Sequence, residues 1–336
     1  MKHAFYALLV CVIASSFATA SEPPPRARTN LFREVDFTVG TGQWRLPGTL
    51  TLPVAADNRD APALVLVHGS GPEDRDETIG ANKPFRDLAW GLAAKGVAVL
   101  RYEKRTRVYA AKLAAMDPAT FTLKEEFVDD AISAAAQLRS TKGIDPQRIF
   151  VLGHSLGGVA VSRIGQADTN LAGLILLGGC LSRPLEDALA STLRYVASLQ
   201  GTLDKDAQAQ LDLLLAQLAK VKDLTDADVK SRTLLIGATP RYWLDLREHY
   251  PLAIAKSLKQ PLLVLHGGRD FQAPRADFDA WKEAFASRSN ATFKVYPKLN
   301  HLFIAGEGKS TPADYLQPGH MEQAVVDDIA EWILAY

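Results

Sequence analysis

The chain has little cysteine, no excess of either charge and no long hydrophobic run. Only two of its 336 residues are cysteines, and 38 Lys and Arg balance 38 Asp and Glu. This balance gives no electrostatic footprint for nucleic acid. No Cys pair or His-x-x-x-His spacing suggests a metal site, and no glycine-rich loop with its lysine suggests a phosphate site. We therefore expect no cofactor, no metal and no nucleic-acid partner, while the oligomeric state stays open.

The N-terminus differs in composition from the rest of the chain. A positively charged start precedes an apolar run over 4–14, and an Ala-x-Ala cleavage signature ends at Ala20. The run is about half of the roughly 20 residues that a membrane-spanning helix needs. We predict a signal peptide over 1–20, a Pro-rich linker over 21–34, and export to the periplasm or the medium without stable membrane insertion. The alternatives are an uncleaved anchor and lipidation at Cys11.

Removal of the signal peptide leaves Cys180 as the single thiol. The exported chain would then form no internal disulfide, but a chain of this length can bury a core large enough to be stable without one. Cys180 follows an apolar segment, so we expect a buried structural cysteine.

Short apolar segments alternate with amphipathic ones along most of the chain. Strands are predicted at 62–67, 97–100, 149–152, 171–177, 261–265 and 291–296. Helices are predicted at 84–95, 123–139, 275–287 and 320–335, and directly after Ser155. This alternation predicts an α/β fold with a mostly parallel, doubly wound sheet. Alternating residues at 35–39 and 48–52 predict an antiparallel hairpin at the sheet edge.

The alternation of strands and helices stops after Cys180. Two amphipathic helices are predicted at 185–199 and 207–218, with no strand between them. We predict a helical lid over 182–258, inserted into a core formed by 35–181 and 259–336. The alternative is a structural helical layer far from any functional site.

A Gly-x-Ser-x-Gly turn joins the predicted strand 149–152 to the helix that follows Ser155. Strand, tight turn and helix form the context that a nucleophile elbow requires. The serine there adopts strained backbone angles, and Gly153 and Gly157 let the two elements approach each other because they lack a Cβ. The context predicts a nucleophilic Ser155, and a chance match is the alternative.

A serine hydroxyl needs a base to activate it, and the base needs an acid to orient it. Asp270 follows the strand 261–265, and His301 follows the strand 291–296. Since the carboxyl ends of parallel strands meet at one sheet edge, both side chains can reach Ser155. We predict that His301 accepts the serine proton and that Asp270 orients His301. The alternative acids and bases are Asp245, Asp277, His249, His266 and His320.

Backbone N–H groups are predicted to stabilise the oxyanion that forms when a serine attacks a carbonyl group. One is the N–H of Leu156, at the N-terminus of the helix after Ser155. The other belongs to the glycine-rich loop after the strand 62–67, where we favour Ser70 and keep Gly71 as its alternative. The alternative interpretation of this loop is an ordinary strand-to-helix turn.

Several motifs together resemble a known family. They are His-Gly-Ser-Gly-Pro-Glu-Asp-Arg-Asp-Glu at 68–77, Asn-Lys-Pro-Phe-Arg-Asp-Leu-Ala at 82–89, Arg-Tyr-Glu-Lys-Arg at 101–105, Gly-His-Ser-Leu-Gly-Gly at 153–158 and Gly-Gly-Arg-Asp at 267–270. Over 35–336 the chain resembles bacterial α/β-hydrolase carboxylesterases, which are similar to dienelactone hydrolases and to the catalytic domain of prolyl-oligopeptidase-type peptidases. The resemblance implies an α/β-hydrolase fold and a cofactor-independent serine esterase for short-chain carboxylic esters. It also implies that Tyr242 and Trp243 lie in a lid segment over the pocket.

Other functions stay open beside the predicted hydrolysis of a small-molecule ester through an acyl-enzyme. One is a serine peptidase or acylaminoacyl-type hydrolase, and another is a catalytically dead binding protein on the same scaffold. Acyl transfer to an alcohol is also open, because the dryness of the pocket decides it. Packing is the alternative role for Tyr242 and Trp243. We expect Arg75 and residues 101–105 to form a solvated charged face, with shaping of the pocket rim as the alternative.

Overall fold

The computed structural model describes residues 29–57 and 59–336. The predicted signal peptide over 1–20 and most of the predicted linker over 21–34 lie outside the described residues. The linker ends earlier than predicted, because the first strand already begins at Phe32. Across the two described ranges, no helix is both long and apolar enough to cross a bilayer.

The described strands form one mostly parallel sheet. They are β1 (Phe32–Val39), β2 (Leu46–Pro53), β3 (Ala61–Val67), β4 (Ala98–Tyr102), β5 (Ile144–His154), β6 (Gly173–Leu177), β7 (Leu262–Gly267) and β8 (Ala291–Tyr296). Their order in the sheet is β1-β2-β4-β3-β5-β6-β7-β8. β2 pairs antiparallel with β1 and with β4, whereas all the other neighbours pair in parallel. The predicted parallel sheet with an antiparallel hairpin at its edge is therefore confirmed.

The helices connect and cover these strands. They are α1 (Pro84–Ala93), α2 (Arg105–Val108), α3 (Ala110–Ala115), α4 (Asp129–Arg139), α5 (Leu156–Ala167), α6 (Leu185–Ser198), α7 (Lys205–Lys222), α8 (Pro240–Glu248), α9 (Pro251–Ser257), α10 (Arg275–Ala284) and α11 (Gln323–Ala335). Several boundaries differ from the prediction by a few residues, and two segments differ more clearly. The segment predicted as one helix over 123–139 begins with a π-helical turn, Lys124–Val128. β5 is longer than the predicted strand 149–152, because it continues through a polar stretch that starts at Ile144.

Alternate residues of the central strands pack on opposite faces of the sheet. Val65 and Val67 of β3 contact the apolar cluster that includes α4 and α5, whereas Leu64 and Leu66 pack with α1 and α11. All four side chains are completely buried, and burial of such a side chain contributes about 1.5–3 kcal/mol. The period of two thus explains why these strands carry apolar residues at every position.

The parallel strands place the predicted site residues along one edge of the sheet. β3 ends before the loop 68–72, β5 before Ser155, β7 before Asp270 and β8 before His301. Helices α6 to α9 follow one another between β6 and β7, without an intervening strand. The insertion predicted over 182–258 is therefore helical and follows the strand next to β5.

Candidate active site

Ser155 occupies a strained turn between β5 and α5. Its φ of 52° and ψ of −120° are unusual for a residue with a side chain. The Ser155 N–H donates to the carbonyl of Leu177 at 3.0 Å, which ties the turn to β6. A Cβ atom at Gly157 would collide with the carbonyl oxygens of Val67 and His68. The glycine therefore lets α5 start against the end of β3, as a nucleophile elbow requires.

Asp270 and His301 form a buried hydrogen-bonded pair. His301 Nδ1 lies 2.6 Å from Asp270 Oδ2, and the N–H groups of Gln272 and Ala273 donate to Asp270 Oδ1 at 2.7 and 3.0 Å. Burial alone would raise the pKa of Asp270, but the charge of His301 and these hydrogen bonds hold it below its ordinary value. An ionised Asp270 fixes the proton of His301 on Nδ1, so Nε2 is the nitrogen that can accept another proton.

Ser155 and His301 line the same cavity, which has a volume of about 300 Å³. Leu156, Gly69 and Ser70 line it as well. Within the described residues no protein group accepts a hydrogen bond from the N–H of Leu156 or of Ser70. Two residues with an unpaired N–H donor therefore line the cavity that contains the serine, which agrees with the predicted oxyanion hole.

Gly71, the predicted alternative to Ser70, is placed differently. It is absent from the described residues that line the cavity, and its carbonyl accepts from Thr106 Oγ1 at 3.3 Å. Its φ of 110° turns the chain away after Ser70. Of the two predicted donors, Ser70 is the one that the fold brings to the cavity.

The alternative acids and bases have other partners. Asp245 pairs with Arg163 and accepts from it at 2.5 Å, and Asp277 accepts from Ser182 and from Arg183. His249 contacts Asp245, and His320 lies 3.2 Å from Asp87. His266 is buried against Phe278, with ring centroids 5.4 Å apart.

A buried ion pair that the sequence analysis missed lies behind the predicted oxyanion loop. Glu77 Oε2 lies 2.9 Å from Nδ1 of His154, and Glu77 Oε1 accepts from the Gly69 N–H at 2.5 Å. His154 Nε2 lies 3.0 Å from the carbonyl oxygen of His301. A carbonyl oxygen and a carboxylate can only accept, so both ring nitrogens of His154 carry a proton. The resulting imidazolium joins the turn before Ser155 to the loops of Gly69 and His301.

The pKa values of this pair agree with its geometry. Burial alone would lower the pKa of His154, but Glu77 and the hydrogen bonds hold it above its ordinary value. Burial alone would raise the pKa of Glu77, but His154 holds it below its ordinary value. The sequence gives one indication of this pair. His154 is a polar residue at the end of an apolar strand, and Glu77 lies at the end of a charged segment, so each could have been expected to need a partner.

A second buried cation holds the peptide group on the other side of Gly69. Lys104 Nζ donates to the Gly69 carbonyl at 2.7 Å and lies 2.7 Å from Oε1 of Glu126. It also lies 4.3 Å from the ring centroid of Phe127. Glu77 therefore fixes the peptide group before Gly69 through its N–H, and Lys104 fixes the peptide group between Gly69 and Ser70 through its carbonyl.

The prediction of a solvated charged face over 101–105 is wrong. Arg101, Lys104 and Arg105 are only 3%, 1% and 6% exposed. Arg101 pairs with Asp76 and Glu34, and Arg105 pairs with Asp130. The reason is that β1, the loop 68–77 and α4 bring carboxylates to this basic segment from distant parts of the chain.

Tyr242 and Trp243 lie in the first turn of α8, and both line the cavity. Tyr242 stacks on Phe121 with ring centroids 6.4 Å apart. Trp243 Nε1 donates to the carbonyl of Leu235 at 2.8 Å and packs with an apolar cluster of α7. The two residues therefore line the cavity, as the resemblance implies, and they also have the packing role that was the alternative prediction.

The first two helices of the insertion also border the cavity. Its lining includes Leu185, Ala188, Leu189, Thr192 and Leu193 of α6 and Leu214 of α7. Cys180 lies at the same wall, and burial raises the pKa of its thiol. It is therefore an inert, buried cysteine, as predicted.

One group of possible metal ligands was not foreseen. Ligand atoms of Asp245, Glu248 and His249 lie within 4.8 Å of one another. Arg163 pairs with Asp245, and Arg241 pairs with both carboxylates. Two guanidinium groups therefore already compensate the acidic charge of this cluster.

Comparison with known proteins agrees with this architecture. The family model described as serine aminopeptidase, S33, matches residues 62–308. The chain is similar to esterase EstD of Thermotoga maritima, with 39% identity over 316 residues that cover 94% of this chain and 71% of the relative.

Solved structures share the fold at low identity. An esterase from Pyrococcus furiosus has a TM-score of 0.56 and 16% identity, with 95% of this chain and 96% of that one covered. A dienelactone hydrolase from Anabaena variabilis has a TM-score of 0.53 and 15% identity, with 91% and 99% covered. The fold is thus the predicted α/β-hydrolase fold, and the chain belongs to the hydrolase family whose model is described as serine aminopeptidase, S33.

Proposed function

We propose that this protein is a serine carboxylesterase that cleaves short-chain esters through an acyl-enzyme. The observation that carries the proposal is Ser155 in its strained turn, lining one cavity with the His301 that Asp270 orients. The similarity to a relative named as an esterase supports ester over other acyl substrates.

In the first half of the proposed reaction, the Ser155 hydroxyl oxygen attacks the ester carbonyl carbon. His301 Nε2 takes the hydroxyl proton, and the N–H groups of Leu156 and Ser70 donate to the oxyanion. When the carbon–oxygen bond breaks, the imidazolium gives its proton to the departing alcohol. The product of this half is an acyl-serine.

In the second half, water attacks the acyl-serine and His301 takes one of its protons. Collapse of the second oxyanion releases the carboxylic acid and returns the proton to Ser155. The cavity volume of about 300 Å³ is at the small end of the range for ligand pockets, which favours short acyl chains.

The test is hydrolysis of p-nitrophenyl esters from acetate to dodecanoate, together with labelling by a fluorophosphonate probe. We expect labelling of the wild type, and we expect Ser155→Ala to lose both the label and about 10⁴- to 10⁶-fold in kcat. Ser162→Ala, a change at a buried serine of α5, the helix that follows Ser155, is the matched control and should keep both. A folded wild-type protein that takes no label would favour the binding-protein alternative.

A second candidate is hydrolysis of aminoacyl amides, which the description of the matching family model favours. It uses the same residues, except that His301 protonates a departing amine. Aminoacyl p-nitroanilides separate the two functions, because turnover of the anilides alone would contradict the esterase proposal.

We also propose that the protein is exported, on the basis of the signal-peptide pattern over 1–20. Expression with and without these residues, followed by cell fractionation, tests this. Retention of both forms in the cytoplasm would contradict it.

A further inference from the structure

Glu73 places a carboxylate in a cavity wall that is otherwise largely apolar. It lies in the loop between β3 and α1 and lines the cavity that contains Ser155 and His301. Much of the remaining lining is apolar, for example Leu181, Leu189 and Leu246. A carboxylate in such surroundings is costly unless something donates to it.

No protein group within 29–57 and 59–336 supplies that donor, since the Glu73 side chain makes no hydrogen bond or ion pair there. The two cations that act on the pKa of Glu73 already have other partners. Lys104 contacts Glu126 and the Gly69 carbonyl, and His154 contacts Glu77 and the His301 carbonyl. The donor to Glu73 is therefore either solvent water or a molecule bound in the cavity.

The pKa of Glu73 also agrees with a carboxyl group that has no hydrogen-bond donor. Burial, followed by the negative charges of Glu77 and Asp74, raises the pKa of Glu73 to about 7, although Lys104 and His154 act in the opposite direction. Near neutral pH its carboxyl group is thus present in both forms. A donor in the cavity would stabilise the ionised form.

We propose that Glu73 is a specificity-determining residue that accepts a hydrogen bond from a hydroxyl or ammonium substituent of the substrate. The preferred substrates are then small esters with an apolar body and one such donor group near the ester bond. This inference rests on the proposed esterase function and adds the class of ester to it.

The test uses esters of equal shape that differ only in the donor. The acyl series consists of the p-nitrophenyl esters of 3-phenylpropionate, 3-phenyllactate and phenylalanine, which carry no donor, a hydroxyl and an ammonium group. The alcohol series consists of the butyrates of 2-phenylethanol and 2-phenylglycinol. The readout is the kcat/KM of the donor-bearing ester divided by that of its parent ester. An effect of a substitution on the chemical steps that both esters share cancels in this ratio.

We expect Glu73→Leu to lower this ratio by about 10- to 100-fold in at least one series, the range for a hydrogen bond to a charged group. The kcat/KM for the parent ester should change by less than about 3-fold. Glu73→Gln should keep most of the preference for hydroxyl and lose that for ammonium. Asp187→Asn removes a carboxylate of α6 that lies outside the cavity lining and pairs with Lys222, so it is the matched control and should leave every ratio unchanged.

The hydroxyl ester also gives a pH test, because its substituent does not titrate. The phenyllactate-to-phenylpropionate ratio should rise between pH 6 and pH 8 in the wild type and stay flat in Glu73→Gln. The other titratable groups around Glu73 are Glu77, His154, Asp74, Lys104 and Glu126, and they are unchanged in that variant.

The outcomes separate this inference from the function on which it rests. If the wild type hydrolyses the parent esters but Glu73→Leu keeps every ratio within about 2-fold of the wild type, Glu73 does not select substrates and the esterase proposal stands. If the wild type hydrolyses neither parent nor donor-bearing esters, both proposals are wrong.

Discussion

The carboxyl ends of the strands and the helical insertion line the same cavity, but the strand ends contribute polar side chains and the insertion contributes mainly apolar ones. At the strand ends, polar groups are buried in closed pairs such as Asp270 with His301 and Glu77 with His154. The insertion contributes mainly apolar side chains such as Leu189 and Leu193, held by a small apolar cluster of its own.

This difference predicts different responses to change. A buried polar pair depends on both partners, because removal of one leaves the other desolvated without compensation. An apolar wall responds to volume, and its effects are graded. Replacement of a single polar atom at the strand ends should therefore lower activity strongly. Substitutions in the insertion should be tolerated and should change only the preferred size of the substrate.

The largest expected effect is that of Asp270→Asn. The amide can donate to Nδ1 and stabilise the wrong tautomer of His301, so kcat should fall by about 10⁴-fold. Ester hydrolysis measured with wild-type and variant protein of matched circular dichroism tests this. Asp277→Asn, at the acid that was the alternative, is the control, and a larger loss there would reverse the assignment.

Acid should weaken the strand-end region through His68, which is buried between Phe85 and Tyr102. Burial, the largest influence, lowers the pKa of His68 to about 4 from an ordinary value of 6.5. Between these values the unfolded chain binds a proton that the folded chain does not. The contribution of His68 to the free energy of unfolding is therefore complete above pH 6.5 and falls by about 3 kcal/mol as the pH drops to 4.

Urea unfolding at pH 7 and at pH 4.5 measures this loss. His68→Phe should reduce the difference between the two pH values, and this difference is the readout, whatever the stability of the variant at pH 7. An unchanged difference would show that other groups cause the acid sensitivity.

Glu77→Gln should lower kcat by about 10- to 100-fold, with a smaller change in KM. The substitution leaves the His154 imidazolium without its counter-charge and weakens the hydrogen bond that holds the Gly69 N–H, so the proposed oxyanion donors should lose their fixed position. Initial rates on p-nitrophenyl butyrate give kcat and KM, and the ¹⁵N shifts of His154 report loss of the imidazolium.

The matched control for Glu77 is Asp130→Asn, which breaks the buried pair with Arg105 away from the cavity lining. Both variants should lose stability, but only Glu77→Gln should lose kcat after correction for the folded fraction. Equal losses of kcat in the two variants would show that Glu77 has only a structural role.

The smallest effect is expected in the insertion. Leu193→Phe adds volume to a side chain of the cavity wall and should lower kcat/KM for the octanoate ester relative to the acetate ester by about 10-fold. The effect is small because the volume of an apolar pocket discriminates only weakly between acyl chains of different length. Leu213→Phe on α7, where Leu213 is 54% exposed, is the control and should leave the ratio unchanged. A ratio unchanged in both would place the acyl chain away from α6.

Local signals were enough to predict the elements that surround the site. The apolar run of β3 indicated a strand buried on both faces, and Gly153 and Gly157 indicated a tight turn around Ser155. The positions of Asp270 and His301 just after two strands predicted their shared sheet edge. These inferences succeed because hydrophobic period, backbone conformation and strand direction are encoded within a few neighbouring residues.

Pairings between distant residues were missed. Nothing near Lys104 in the sequence indicates Glu126 and the Gly69 carbonyl as its partners, and nothing near His154 indicates Glu77. For the same reason the segment 101–105 was predicted to be a solvated charged face, whereas the fold buries all three of its basic residues.

The sequence by itself determined the α/β architecture, the serine turn and the residues that follow each strand. Only the tertiary structure decided which polar side chains pair, that Ser70 rather than Gly71 borders the cavity, and that Glu73 lines it without a side-chain partner among the described residues. The physical reason is that secondary structure follows local periodicity, whereas the partner of a buried charge is selected by whichever distant group the packed chain brings within hydrogen-bonding distance.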